Sequence, residues 1–152
     1  MAFEVNTEVF RAFSTYATVV ILKMMFVSML TVYYRVTRKA FDNPEDVKSG
    51  RTMEEKKRML RTDADVERTR RCHQNDLENI VPFVVIGLLY SLTETNLSSA
   101  LLHFRIFVGF RFFYMLAYLI PLPNPSRGLS WIVGMCVTFS MAYNVLTRAM
   151  FH

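Results

Sequence analysis

The chain is 152 residues long, which is room for one domain and too little for a multidomain enzyme. Hydrophobic residues make up 52% and aromatic ones 14%, a composition that excludes an intrinsically disordered chain. Twelve of the 18 Lys and Arg and eight of the 13 Asp and Glu fall between Arg35 and Arg71, and such segregation argues for a membrane protein with one large polar loop.

Near the N-terminus, Glu4 and Glu8 stand where a secretory signal would carry basic residues. The apolar stretch that follows is too long for a signal core and is expected to remain as an anchor. Ala12 to Tyr34 gives 23 residues interrupted only by Lys23, enough to cross a hydrocarbon core of about 30 Å as a helix. The first span is therefore set at about 10–34, followed by a polar loop over 35–73. Within the loop, Thr62 and Asp65 have the spacing of a capping box, with Asp63 in the first turn, and predict the start of the second helix. Run on to Thr93, that helix would be about 45 Å long and overshoot the hydrocarbon core. Its first turns then stand outside the core, and the span proper covers about 74–93, with a kink expected at Pro82.

Thr93 to Asn96 reads as a tight polar turn. Leu97 to Ile120 supplies a third span that carries His103, Arg105 and Arg111. The run PLPNPS, Pro121 to Ser126, cannot continue a helix, and Gly128 to Thr147 follows with no charge at all. Only this last span meets a strict hydropathy rule. Buried helices of a soluble bundle would need polar outer faces that FVGFRFFYMLAYLI and WIVGMCVTF lack. The expected fold is all-α: an integral membrane four-helix bundle in a single domain, 1–152, with spans at about 10–34, 74–93, 97–120 and 128–147. The Lys and Arg asymmetry turns the 35–73 loop and Arg127 toward the cytosol, leaving Arg11 and Arg148 on the other side.

Several classes drop out. The net charge of +5 comes from bases interleaved with acids and without a base-reading motif, so no nucleic-acid partner is expected. Two cysteines, one in a charged run and one in an apolar run, make no disulfide framework. His73, His103 and His152 lack metal-ligand spacing, and no metal site is expected, although His73 could act as acid or base. Phosphate loops, GxSxG elbows and HExxH motifs are missing.

The densest chemistry is RTRRCHQNDLEN, Arg68 to Asn79. Helical spacing sets Arg71, Asn75 and Glu78 on one face with Gln74 beside them. A charge run at a helix end is usually a solvated face. This one continues into an apolar span, where Asp76, Glu78 and Asn79 are costly unless they face the bundle interior or a ligand. Arg111, Tyr114 and Tyr118 share a face of the third span, and Lys23 is expected to pair with Asp76 or Glu78 across the bundle. Cys72, among Arg70, Arg71 and His73, reads either as a reactive thiol or as an inert small residue; Cys136 is expected to be buried.

The stretches FDNPED (Phe41 to Asp46), DVERTRRCHQNDLENIVPF (Asp65 to Phe83), GLLYSL (Gly87 to Leu92), HFRIFVGFR (His103 to Arg111), AYLIPLPNPSR (Ala117 to Arg127) and SMAYNVL (Ser140 to Leu146) resemble the membrane-associated eicosanoid and glutathione metabolism family, and within it the type-one glutathione transferase branch. The resemblance implies a homotrimer of four-helix subunits, with glutathione held between neighbours near the cytosolic face. Carried over residue by residue, it implies Arg35, Arg71, Asn75, Glu78, Tyr118 and Arg127 as glutathione contacts, Arg127 lying nearest the sulfur. Arg127 and Tyr118 would be catalytic, with Gln74, Arg111 and Tyr114 completing the binding set. The chemistry agrees, because glutathione carries two carboxylates suited to Arg35 and Arg71 and an ammonium suited to Glu78.

The implied activity is conjugation of glutathione thiolate to lipophilic electrophiles from the bilayer, with reduction of lipid hydroperoxides as a side reaction. The implied location is the endoplasmic reticulum and the outer mitochondrial membrane. Alternatives are a leukotriene or prostaglandin synthase of the same family and a non-catalytic lipid-binding scaffold. Prostaglandin-forming relatives have Arg where this chain has Gln74 and Ser where it has Gly128, which weighs against the isomerase. Family members often have Ala at the position of Cys72 and His at that of Tyr114, so a titratable imidazole is lost.

Overall fold

The computed structural model describes residues 6–47 and 52–151, apart from the side chain of Phe151. Glu4, Arg51 and His152, on which part of the sequence reading rests, lie outside the described residues. The described chain is all-helical: α1 (Thr7–Arg38), α2 (Met53–Met59), α3 (Ala64–Ser91), α4 (Leu97–Leu119) and α5 (Ser126–Phe151).

Local chemistry sets most of the ends. Asn6 caps α1 by accepting from the amides of Glu8 and Val9 at 3.2 and 3.3 Å, with Glu8 against the positive end of the helix dipole. Arg35 and Arg38 lie in the last turn, and Lys39 ends the helix at a φ of 51°. The polar loop contains a helix that the sequence reading left unassigned. Thr52 and Glu55 form a reciprocal capping box on α2, at 3.3 and 3.2 Å. At α3 the N-cap is Asp63 rather than Thr62, since Asp63 accepts from the amides of Asp65 and Val66. A carboxylate accepts more strongly than a hydroxyl at that end of a dipole. α3 continues through Pro82, and the breaks at 92–96 and 120–125 fall where the polar turn and the proline run were expected.

Three helices, α1, α4 and α5, are long and apolar enough to cross a membrane. These are three of the four expected spans, and one or two charges are tolerated when the rest of the window is strongly apolar. α3 does not qualify by composition, because its N-terminal half is the charged run.

α1 packs on α3 and α4, and α5 packs on α4 and α3. The main core is aromatic: Phe83 stacks on Phe107 at 3.7 Å, while Phe104 meets Phe13, Phe83 and Tyr90 edgewise or tilted. Gly87 lets α1 approach α3, since a Cβ there would lie 2.7 Å from Cε2 of Phe13. A smaller cluster of Val27, Cys72, Tyr114 and Met115 sits toward the other end. Between the two lies a charged layer: Lys23 falls between Val20 and Val27, Asp76 between Cys72 and Ile80, and Arg111 between Val108 and Tyr114.

Cys72 is fully buried, against a reactive thiol, and Cys136 is exposed, against its expected burial. Cys72 is one helical turn from Asp76 and shares its inward face, whereas the apolar surroundings of Cys136 are an outward face.

Candidate functional site

The charged layer is the base of the site. Lys23 Nζ donates to both carboxylate oxygens of Asp76 at 2.6 Å, and Arg111 Nη2 donates to Asp76 Oδ1 at 2.8 Å. Asp76 and Arg111 are 0% exposed and Lys23 is 4% exposed. One acid thus serves two cations, and this layer is sealed from water. Of the two partners expected for Lys23, Asp76 makes the pair, and Glu78 is exposed on another face of α3.

Arg111 also reaches outward. Its Nη2 donates to Oδ1 of Asn75 at 2.7 Å, and its guanidinium lies 4.5 Å from the centre of the Tyr114 ring. Tyr114 in turn lies 5.5 Å from Tyr118, centroid to centroid, and Arg127 sits over the Tyr118 ring at 4.8 Å. Side chains from α3, α4 and α5 therefore form a ladder running from the buried layer to the surface.

Asn75, Tyr114, Tyr118 and Arg127, together with Asn124, Gly128 and Trp131, line an open crevice of about 420 Å³. The 3.6-residue repeat of α4 puts Tyr114 and Tyr118 on the face below the proline turn, and the start of α5 hangs Arg127 above them. Asn124 and Trp131 were not singled out from the sequence. The signals were available: Asn124 sits in the proline run, and Trp131 lies one helical turn beyond Arg127.

Four of the nine sequence-derived site residues thus meet at this crevice, and Arg111 lies behind it, fully buried. The other four do not reach it within one chain. Arg35 is ion-paired with Asp42. Arg71 is exposed and donates through Nε to the carbonyl of Glu67 at 3.2 Å. Gln74 donates to Glu78 at 3.3 Å on the exposed side of α3.

Chemically the crevice is a donor site. Arg127, the Tyr118 hydroxyl and the free amide nitrogen of Asn75 can all donate, and no carboxylate lines it. Such a lining suits an anion or a group rich in acceptors. Among the described residues, no group of three or more His, Cys, Asp or Glu could hold a metal ion.

Comparison with known proteins covers the same span. The model of the MAPEG family matches residues 13–147. Microsomal glutathione S-transferase 1 of Sus scrofa is 57% identical over 146 residues, covering 96% of this chain and 94% of the relative. The protein of the same name from Homo sapiens is 54% identical over the same shares. Prostaglandin E synthase of Bos taurus is more distant, 35% identical over 97% of this chain and 94% of its own. With residues 13–147 matched by the family model and relatives matched over nearly their whole length, the chain belongs to the MAPEG family.

Proposed function

We propose that the protein is a membrane-bound glutathione transferase that joins glutathione thiolate to lipophilic electrophiles. The observation that carries this reading is the Arg127 guanidinium over the Tyr118 ring at the mouth of a donor-lined crevice. Only the thiolate is an adequate nucleophile, and a free thiol titrates near ~8.5. Lowering that by roughly two units takes about 2.7 kcal/mol of preferential stabilisation of the anion. A cation and a phenol hydroxyl in a partly desolvated crevice are the groups that supply it. The similarity to microsomal glutathione S-transferase 1, above that to prostaglandin E synthase, favours transfer over isomerisation.

The protein is further read as a homotrimer in the endoplasmic reticulum and outer mitochondrial membranes. Its four long helices would each cross, and the polar loop would face the cytosol. Arg35, Arg71, Gln74 and Glu78, which lie outside the crevice of their own chain, would meet the crevice of a neighbouring copy. Glutathione would then span two subunits, its carboxylates on arginines and its ammonium on Glu78. Reduction of lipid hydroperoxides would use the same thiolate.

Equilibrium glutathione binding to the detergent-solubilised protein, with thiolate ultraviolet absorbance read in the same cuvette, tests the main reading. Binding with a thiolate band is expected. Absence of binding at millimolar glutathione would return the protein to the class of non-catalytic lipid scaffolds. Product analysis with leukotriene and prostaglandin precursors beside a simple electrophile separates transferase from synthase. Protease added outside sealed microsomes should cut near Arg51 to Arg61, and protection until detergent is added would reverse the topology.

A further inference from the structure

Arg111 is a cation with no access to solvent, so it cannot touch a ligand in the crevice directly. It does, however, touch a residue that lines the crevice. Its Nη2 bridges Asp76 Oδ1 at 2.8 Å and Asn75 Oδ1 at 2.7 Å, and its position is set from the far side by Lys23 through the same carboxylate. Arginine has only donors, so the group of Asn75 that faces it must be the amide oxygen. The amide nitrogen of Asn75 is then turned away from Arg111 and, among the described residues, has no hydrogen bond of its own.

From this geometry we propose that Arg111, Asp76 and Lys23 are positioning residues for the crevice. They lock the Asn75 amide so that the ligand meets only its NH2 group. The site therefore selects for an acceptor, such as a carboxylate or peptide carbonyl, at the point above Asn75. A ligand presenting an ammonium there, which has no acceptor, is disfavoured, because the NH2 group can only donate and the Asn75 oxygen is turned toward Arg111. Two apolar clusters hold the three charges in one layer, which fixes the direction of the Arg111 fork more firmly than a solvated pair would. The network is independent of what the ligand is; its readout as glutathione affinity rests on the function proposed above.

The test combines Arg111→Lys with Asn75→Ala and Asn75→Asp. Lysine keeps a cation near Asp76, but its side chain ends short of the position of Nη2, the one nitrogen that reaches both partners. Arg111→Lys is expected to weaken glutathione binding about tenfold in the presence of Asn75, and less than about twofold in the Asn75→Ala background. Asn75→Asp keeps an acceptor for Arg111 and removes the NH2, so it should bind glutathione no better than Asn75→Ala. Equal losses in both backgrounds would mean that Arg111 is merely structural and would overturn the proposal, as would wild-type affinity in Asn75→Asp. A second readout needs no ligand. The side-chain amide resonance of Asn75, assigned by its loss in Asn75→Ala, should shift in Arg111→Lys without glutathione, and an unchanged resonance would overturn the network. If the wild-type protein binds no glutathione while that resonance still moves, the functional reading falls and the network is supported.

Discussion

Lys23 of α1 and Asp76 of α3, 53 residues apart in the chain, meet at 2.6 Å with both side chains withdrawn from solvent. This pair ties the first helix to the helix that carries the charged run. It also sets the rotation of α3 about its axis, and with it which of that run's side chains face the interior.

Asp76 serves two buried cations, so its removal strands both. Asp76→Leu should cost about 3–5 kcal/mol in thermal unfolding of the detergent-solubilised protein. Lys23→Met should cost less, because Asp76 retains Arg111. An Asp76→Leu variant as stable as wild type would show that the layer is not holding α1 against α3.

At Gly87 the Phe13 ring of α1 packs directly over α3. Gly87→Ala puts a methyl group 2.7 Å from Phe13 Cε2 and should destabilise by about 1–3 kcal/mol through overpacking. Adding Phe13→Leu, which removes the ring, should restore part of that loss. The same unfolding measurement checks both, and additive losses would place the strain elsewhere.

The two thiols should differ in access. Alkylation of the native detergent-solubilised protein should modify the exposed Cys136, with Cys72 modified only after unfolding. Peptide mapping by mass spectrometry reads the order. Prior labelling of Cys72 in the native state would contradict its burial.

Under the proposed function, Arg127→Ala should bind glutathione within about tenfold of wild type yet raise the pKa of the bound thiol and slow conjugation. Glu78→Gln should instead weaken ground-state binding, because it removes the partner of the ammonium. Titration of the thiolate band alongside binding separates the two. A large loss of affinity in Arg127→Ala with an unshifted thiol would reassign the sulfur contact to another donor, with Tyr118 the nearest.

The helices and breaks were legible in the sequence because they depend on local terms. Apolar length, proline at 121, 123 and 125, and the polar turn before Leu97 act over a few residues. The ladder of Arg111, Tyr114 and Tyr118 was legible as well, since helical periodicity alone aligns it. The capping box of Thr52 and Glu55 was equally local and went unread inside a loop dense with charge.

What only the tertiary structure decided was which polar residue looks inward. Asp76 and Glu78 are two residues apart, about 200° around α3, and either could meet Lys23 until the helix is rotated into place. The cysteines make the same point. In water, an apolar neighbourhood predicts burial, but in a bilayer the solvent is itself apolar. Cys136 is therefore outward among hydrophobic residues, while Cys72, in the charged run, is packed inside beside Asp76. Hydrophobicity carried the information that α1, α4 and α5 are long and apolar enough to cross a membrane, and the choice of inner face came from a single ion-paired layer across three helices.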